Sequence, residues 1–534
     1  MFRPVPGIAR AATRSSRYAP QGRLLSSSAR KVSPVAPWIT AAAGLSILGL
    51  VSVYSHQEVA LDSALPDKLG RVVYAEEVRE HNTKEDAWVV IDGKVYDISE
   101  FLEMHPGGED VVIKHLGKNI SPIFNLLHAK GVLARAVEDN PSIKVIGLMD
   151  PNSSLEIVAS PAASEELTER RNNLPPLDTI RNVAQFEHLA KEVLGDEARE
   201  WHYFSSFADD GNSFRANRSS WSFLRFFPRV NVPVREVSTE TTFLGSSTPV
   251  AFPIVICPTG QTASGHPDGE LNHTRSSAVT GIPQIVSTMS SVSYPELAAE
   301  RDRLEGTGAK RAPLWWQLYI YTDRKESERR MRQVAKAGCE AILITVDAPE
   351  IGNREADAKP PSSTLMEANL TWEDIAWVKR TIKDIAPNMP VLVKGIGCVA
   401  DVELAKKHGA DGVLLSNHGG RQLDFSPPPL ATLVRLRLEQ PALLEDPKFE
   451  VFVDGGVSRG TDVLKALCLG AKGVGLGRVF LYAQTCYGDA GTIRATEILQ
   501  REVTSGMRLL GAKRIEDLKP EMIELLDGLL GKQM

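Results

Sequence analysis

The sequence predicts an α/β protein whose larger part is a (β/α)8 barrel, the TIM barrel, preceded by a small α+β domain. After about residue 181, eight short apolar runs alternate with helical patterns, which is typical of parallel βα units. The runs span 249–260, 283–288, 314–320, 341–349, 391–396, 412–420, 450–456 and 473–478. Eight such units in about 300 residues fit a closed barrel. A doubly wound open sheet is the alternative, although no G-x-G-x-x-G follows a first strand.

Polar or ionisable side chains lie at or just past the carboxyl end of every predicted strand, the end at which this fold collects its catalytic groups. These residues are Thr259, Ser287, Gln317, Tyr319, Thr345, Asp347, Lys394, His418, Arg421, Asp454 and Arg478. Glycines and an arginine follow the last two strands, in 454–456 and 475–478, as in the phosphate sites of such barrels. The sequence therefore predicts a cofactor that carries a phosphate.

The segment 412–424, GVLLSNHGGRQLD, carries the most specific chemistry. Its apolar start predicts a buried strand, and the polar residues follow directly. Histidine is the one side-chain type here whose ordinary pKa is near neutrality, so His418 can act as a base, while Arg421 offers a planar fork of donors to a carboxylate or phosphate. A base and an anion clamp behind a buried strand indicate an enzyme acting on a small acid. A glycine turn with a solvated arginine is the alternative interpretation.

The small domain, residues 71–149, contains a predicted hairpin at 87–99, where two β-rich runs flank Asp92-Gly93. The hairpin is followed by FLEMHPGG, which contains His105, and a second histidine, His128, lies 23 residues further on. Together these segments resemble the cytochrome b5 haem-binding domain. The resemblance implies that His105 and His128 are the axial ligands of a b-type haem. Because two imidazoles leave no coordination position open for oxygen, such a haem transfers electrons. Candidates for the haem pocket are Val111, Val112, Leu116, Phe124 and Leu127.

The first 70 residues predict a mitochondrial leader. Residues 1–57 contain no Asp or Glu, and arginines are spread among Ser and Ala. The apolar segment 38–54 is either a membrane anchor in the inner membrane or a sorting signal whose cleavage releases the protein into the intermembrane space. We expect the second outcome. Residues 150–180, with Ser, Pro and a run of charges, predict a linker before the barrel at 181–534.

Charge and cysteine usage exclude several classes of partner and site. The net charge of −6 gives no indication of a nucleic-acid partner. The five cysteines are scattered and form no C-x-x-C pair, which argues against a disulfide framework or a thiolate metal site.

The large domain resembles the FMN-dependent α-hydroxy acid dehydrogenases and oxidases through SNHGGRQLD, TVDAP, QLY, YFSS and VDGGVSRGTDVLKALCLGAKGVGLGR. The resemblance covers about residues 180–520. The haem domain and the leader narrow it to the haem-containing L-lactate:cytochrome c oxidoreductases of fungal mitochondria. It implies FMN and haem b as cofactors, an L-2-hydroxy acid such as L-lactate as substrate, and cytochrome c as acceptor. It also implies a homotetramer.

The same resemblance implies residue roles at the reacting carbon. His418 is the base, Asp347 hydrogen-bonds to it and stabilises the imidazolium, and Tyr319 interacts with the substrate hydroxyl. The substrate carboxylate is held by Arg421 and Tyr203, with help from Arg354. Both carbanion formation and hydride transfer remain open, and in either case His418 must accept a proton.

The cofactor is expected to be held by two further sets of residues. Lys394 lies near flavin N1 and supports negative charge on the reduced ring. The isoalloxazine is bound by Thr259, Ser287, Gln317 and Thr345. The phosphate end is held by Gly455, Gly456, Arg459, Gly477 and Arg478, and Asp454 is a further cofactor-binding residue.

Departures from the family pattern affect specificity and cofactor binding. Gly260 and Met289 occupy positions that resemble the substrate side-chain pocket, where lactate enzymes tend to have Ala and Leu. The larger, adaptable pocket predicts acceptance of acids larger than lactate. Ser458 replaces an arginine of the usual DGGVRRG, which predicts a more weakly held phosphate, and Phe207 replaces a glycine near Tyr203. An oxygen-using oxidase with an appended haem domain, and a silent barrel that carries a haem module, are the competing functions.

Overall fold

The structure is a computed structural model. It describes residues 71–530 apart from 106–108, 129–131, 152, 159–163, 245, 247, 312 and 357–365. The predicted leader and its apolar segment lie outside the described residues. Within the described ranges, no helix is both long enough and apolar enough to cross a membrane.

The small domain is a four-stranded sheet with short helices on it, in the strand order β1-β4-β3-β2. Its strands are β1 (Val72–Val73), β2 (Trp88–Ile91), β3 (Lys94–Asp97) and β4 (Lys144–Met149), and its helices are α1 (Ala75–Glu80), α2 (Asp110–Ile113), α3 (Ser121–Leu127) and α4 (Val132–Asp139). The predicted hairpin is confirmed, with Trp88 opposite Asp97 in an antiparallel pair. Asp92 and Gly93 both have positive φ, 49° and 75°, as a type I′ turn requires.

The predicted linker contains helix α5 (Glu165–Asn172), whose N-terminus is capped by Ser164. Arg171 of this helix donates to the carbonyls of Thr485, at 3.0 Å, and Gly265, at 2.7 Å. Thr485 lies just before the interruption of α17 (Arg478–Leu510), where Tyr487 and Gly488 leave helical geometry. Such a break removes carbonyls from the helical hydrogen-bond pattern, and Arg171 supplies a donor there. The second half of the linker is thus attached to the barrel.

The barrel consists of eight parallel strands in a closed ring, ordered β10-β11-β12-β13-β6-β7-β8-β9. They are β6 (Ile254–Ile256), β7 (Gln284–Val286), β8 (Leu314–Leu318), β9 (Ile342–Thr345), β10 (Val391–Ile396), β11 (Gly412–Leu415), β12 (Glu450–Val453) and β13 (Gly473–Leu476). The predicted barrel is confirmed, and the open sheet is wrong. The first strand is much shorter than its apolar run, because Pro253 and Pro258 flank it and prolines cannot donate to the sheet.

Helices surround the barrel and close its ends. Before it lie α6 (Ala184–Leu194), α7 (Arg199–Ser205), α8 (Asn212–Ser220) and the strand β5 (Leu224–Phe226), which pairs with β14 (Ile523–Leu525). The crossover helices are α9 (Leu271–Thr280), α10 (Tyr294–Gly306), α11 (Arg324–Lys336), α12 (Glu373–Ile382), α13 (Val399–Lys407), α14 (Pro429–Glu439), α15 (Pro441–Glu445) and α16 (Gly460–Cys468), before α17.

Alternation along the strands divides the core into two parts. Val255, Trp315 and Phe452 belong to a cluster inside the barrel, whereas Ile254 and Ile256 pack outward under the helices. This follows from the period of two along a strand. The interior cluster is apolar, and buried polar side chains such as Lys394 and Asp454 lie at the strands' carboxyl ends. Those ends therefore hold the candidate site.

Candidate active site

The loop after β11 presents His418 through an unusual backbone. His418, Gly419 and Gly420 all have positive φ, at 59°, 68° and 77°. A Cβ at Gly420 would lie 2.6 Å from the backbone nitrogen of Phe214, so only glycine fits there. A non-glycine residue in the left-handed region is uncommon and is characteristic of functional sites. The turn aims the imidazole across the mouth of the barrel toward the loop after β9.

His418 lies between Asp347 and Tyr319. Its Nδ1 is 3.0 Å from one Asp347 carboxylate oxygen, and its Nε2 is 3.4 Å from the Tyr319 hydroxyl. Because the carboxylate accepts the Nδ1 proton, the lone pair of the neutral imidazole is at Nε2. Burial and the ammonium of Lys394 lower the pKa of His418 to about 4, so the imidazole is neutral near pH 7. Burial alone would raise the pKa of Asp347, but His418 and Lys394 hold it at about 2.

Two arginines and a tyrosine form an anion clamp beside this base. The Arg421 guanidinium lies over the Tyr203 ring at 5.2 Å, and its Nη1 donates to the Tyr203 carbonyl at 2.8 Å. Arg354 Nε donates to the Arg421 backbone carbonyl at 2.9 Å, and the charge of its guanidinium acts on His418 and Tyr319. Planar guanidinium groups suit a carboxylate.

The predicted side-chain pocket lies against the same clamp. A Cβ at Gly260 would be 3.0 Å from the Met289 Cβ and 3.5 Å from the Tyr203 hydroxyl. The backbone N–H of Gln261 donates to the Met289 carbonyl at 3.0 Å, which joins the loops after β6 and β7. The structure therefore brings Gly260, Met289 and Tyr203 together.

Three of the four residues predicted to bind the isoalloxazine, Ser287, Gln317 and Thr345, are connected by hydrogen bonds. Gln317 Nε2 donates to Thr345 Oγ1 at 2.9 Å, and Ser287 Oγ donates to Gln317 Oε1 at 3.4 Å. Thr259 is half-buried in the loop after β6.

Two buried charged atoms at the strand ends have no protein partner among the described residues. Lys394 Nζ and Asp454 Oδ1 are both without a hydrogen bond. Burial alone would lower the pKa of Lys394, but the carboxylates of Asp347 and Asp454 raise it. Burial raises the pKa of Asp454 to about 6, against the effect of Lys394. Unsatisfied buried charges are costly, and a polar planar ring such as the FMN isoalloxazine would supply the missing partners.

The predicted phosphate end is only partly assembled. Gly455 and Gly456 have φ of 90° and 72° after β12, and Gly477 joins β13 to α17. Arg478 is half-buried, lies over the Phe214 ring at 4.7 Å and donates to the Ser206 carbonyl at 2.7 Å. Burial lowers its pKa to about 10.

Arg459 does not join these residues in the structure. Its guanidinium pairs with Glu502 at 2.7 Å, with about half of the side chain exposed. The backbone N–H groups of Ser458 and Arg459 donate to the Asp462 carboxylate. The role of Arg459 at the phosphate stays a prediction.

The sequence did not predict the residues that support the site through hydrogen bonds to its loops. Ser206 accepts from both Arg421 and Arg478, and Asn417 exchanges two hydrogen bonds of 2.8 Å with Asn217. Gln422 bonds to four groups of the loop after β9. The only signal for Gln422 was its position directly after Arg421, and nothing in the sequence pointed to Asn217.

In the small domain the two predicted haem ligands face each other. The ring centroids of His105 and His128 are 6.0 Å apart, which leaves room for one metal ion with bonds of about 2 Å to each ring. His128 Nδ1 donates to the Phe124 carbonyl at 3.0 Å, so Nε2 is the nitrogen available to a metal. The Phe101 ring lies edge-on to His105 at 5.9 Å, and the Phe124 ring stacks on His128 at 4.2 Å. Both phenylalanines pack, with Val112, against the apolar core of the domain. The residues therefore fit a bis-imidazole haem.

Comparisons with known proteins identify relatives of both domains. Sequence profiles of the FMN-dependent dehydrogenases match residues 190–365 and 360–525, and that of the cytochrome b5-like heme/steroid binding domain matches 74–167. The chain is 40% identical over 486 residues to L-lactate dehydrogenase (cytochrome) of Saccharomyces cerevisiae, covering 84% of this chain and 79% of the relative. The protein of the same name from Wickerhamomyces anomalus is 37% identical over 475 residues, with 84% and 79% covered. The flavin-binding domain of baker's yeast flavocytochrome b2 superposes with a TM-score of 0.62 and 41% identity, over 67% of this chain and 90% of that domain.

Proposed function

This chain belongs to the FMN-dependent dehydrogenase family and carries a cytochrome b5-like domain, and from that premise we propose that it oxidises L-lactate or a related L-2-hydroxy acid to the 2-keto acid. The electrons pass through haem b to cytochrome c. The observation that carries the proposal is His418, held as a neutral base between Asp347 and Tyr319 beside a two-arginine clamp.

Each group of residues has a separate role, which its geometry supports. Arg421, Arg354 and Tyr203 orient the substrate carboxylate and thereby fix the rest of the acid. His418 Nε2 takes a proton from the substrate, and the Asp347 carboxylate stabilises the imidazolium that results. The Tyr319 hydroxyl, whose pKa burial raises to about 12, stays protonated and hydrogen-bonds to the substrate oxygen.

FMN, when bound, supplies the two-electron sink that this oxidation needs, and haem supplies a one-electron relay. The flavin ring would be held by two charged residues, Lys394 and Asp454, and by the polar side chains of Thr259, Ser287, Gln317 and Thr345. The phosphate would be held by Gly455, Gly456, Gly477 and Arg478, with Arg459 as a further candidate. His105 and His128 would hold the haem iron.

The partner and the location are part of the same proposal. Cytochrome c as acceptor is supported by the word cytochrome in the names of both relatives, and the homotetramer by the family resemblance. The leader composition supports a mitochondrial destination with release into the intermembrane space, and 38–54 as an anchor is the alternative. The domain limits 1–70, 71–149, 150–180 and 181–534 stay as predicted from composition.

Anaerobic stopped-flow mixing with L-lactate tests this function. We expect the flavin absorbance to bleach first and the haem bands of the reduced form to appear afterwards, because the haem receives its electrons from the flavin. D-lactate is the matched control and should reduce neither centre. Flavin bleaching without haem reduction, followed by rapid reoxidation in air, would favour the oxygen-using oxidase. No change in either spectrum would favour the silent barrel.

Acids larger than lactate form a second candidate substrate class, which the missing side chain at Gly260 and the adaptable side chain of Met289 favour. In a kcat/KM series over glycolate, lactate, 2-hydroxybutyrate and mandelate, we expect 2-hydroxybutyrate to match or exceed lactate. We also expect Gly260→Ala to lower kcat/KM for mandelate by about tenfold relative to lactate. The added methyl group would lie 3.0 Å from the Met289 Cβ and must displace it. A steep optimum at lactate in the unmodified protein would contradict the larger substrate class.

A further inference from the structure

The side-chain amide of Gln422 joins the two loops that carry the base and the anion clamp. Its Nε2 donates to the carbonyls of Asp347, at 2.6 Å, and Glu350, at 2.9 Å. Its Oε1 accepts from the backbone N–H of Gly352, at 3.2 Å, and from Arg354 Nη2, at 2.9 Å. A primary amide offers two N–H donors and one oxygen with two lone pairs, so all four positions are used.

The orientation of this amide is fixed by its partners. Two of them are carbonyl oxygens, which can only accept, and two are N–H groups, which can only donate. Turning the amide over would place oxygen against oxygen and nitrogen against nitrogen on all four contacts. Glutamine is therefore the side chain that fits, since glutamate would lose both donors and methionine would lose all four bonds.

The backbones of the two loops touch at this point. A Cβ at Gly352 would lie 2.4 Å from the Arg421 carbonyl oxygen and 2.7 Å from the Gln422 Cα. Arg354 Nε donates to that same Arg421 carbonyl. The loop after β9 therefore packs directly against the loop after β11, and the hydrogen bonds of Gln422 fix the position of one loop relative to the other.

We propose that Gln422 is a positioning residue that sets the Asp347 carboxylate against His418 and the Arg354 guanidinium beside Arg421. It touches neither substrate nor cofactor and acts through Asp347 and Arg354. This inference rests on the proposed hydroxy acid oxidation and adds a residue to that site. A shift of a few tenths of an ångström at Asp347 lengthens the 3.0 Å contact to His418 Nδ1, and reaction rates are sensitive to such displacements.

The test compares Gln422→Met and Gln422→Glu with the control Leu423→Ala, whose side chain is 77% exposed at the next position. With the complete protein, we expect both Gln422 variants to lower the limiting rate of flavin reduction by at least about tenfold. We also expect Gln422→Met to raise the Kd for oxalate, measured from the flavin absorbance, about fivefold, since Arg354 loses its fixed orientation. Leu423→Ala should change neither quantity.

A double-mutant cycle separates positioning from general support of the fold. If Gln422 acts through Asp347, then Gln422→Met should lower the reduction rate much less in an Asp347→Asn background than in the unmodified protein. Equal effects in both backgrounds, or an unchanged oxalate Kd and reduction rate in folded variants, would overturn the inference. Normal reduction of the unmodified protein would keep the proposed function in either case. If that protein is not reduced by any 2-hydroxy acid, the proposed function fails, and the oxalate Kd, which needs no turnover, still decides the role of Gln422.

Discussion

Replacing His418 by glutamine should abolish flavin reduction by L-2-hydroxy acids while FMN stays bound. The amide can still donate to the Asp347 carboxylate, but it cannot take the proton that His418 Nε2 accepts. General-base catalysis contributes about 10²- to 10⁴-fold, so we expect the reduction rate to fall by about 10³-fold or more. The measurement is anaerobic stopped-flow flavin bleaching with L-lactate. Normal reduction of the variant would remove His418 from the mechanism.

The backbone of His418 requires a second variant. Its φ of 59° is tolerated by asparagine more readily than by most residues, so His418→Asn controls for strain introduced by glutamine. FMN content and far-ultraviolet circular dichroism should match the unmodified protein in both variants. Retained FMN is expected because the residues predicted to bind it lie mainly on other strands, at Lys394, Gln317 and Thr345.

The lowered pKa of His418 also sets the sign of the pH dependence. The base must be neutral, so activity is present above its pKa and is lost as the pH falls through about 4, well below the ordinary value of about 6.5. The pKa of His418 is about 6.5 in the unfolded chain and lower in the folded protein, so the unfolded chain binds the proton more readily. The free energy of unfolding therefore decreases as the pH falls below about 6.5. An acid limb of kcat/KM for flavin reduction near pH 6.5 in folded protein would contradict the environment described for His418.

Replacing His128 by alanine should separate the two redox centres. One axial ligand is lost, so we expect the bis-imidazole haem spectrum to disappear and cytochrome c reduction to fall by about 10²-fold or more, because the proposed relay between flavin and cytochrome c is removed. Flavin reduction by L-lactate should be unchanged, since the base and the clamp lie in the barrel. Turnover with ferricyanide, a small one-electron acceptor, should persist to the extent that the flavin reduces it directly.

His115→Gln is the matched control for His128→Ala. It changes a histidine of the same domain whose Nε2 makes no hydrogen bond among the described residues. Haem content and cytochrome c reduction should stay unchanged in this variant. Undiminished cytochrome c reduction by His128→Ala would show that the electrons bypass the haem, and that part of the proposed function would be wrong.

Much of this protein follows from local sequence, because the signals involved are periodic or depend on residue type. The eight apolar runs and their polar ends predict the barrel and the face that carries the site, and the turn at Asp92-Gly93 predicts the hairpin. Histidines 23 residues apart in a haem-domain motif predict His105 facing His128, and the structure places their rings 6.0 Å apart. The barrel and the hairpin depend on contacts that strand periodicity and turn type imply, whereas the facing histidines follow from the resemblance to the cytochrome b5 haem-binding domain.

The sequence by itself determined which chemical groups are available: a base, a carboxylate, arginines, and glycines where the backbone turns. Only the tertiary structure decided which of them meet. It paired Asn217 with Asn417, directed Arg459 toward Glu502, and placed Gln422 between two loops. The physical reason is that hydrogen bonds and ion pairs act over a few ångströms in space. Once the barrel closes, the number of residues between two positions in the sequence no longer indicates how far apart they are.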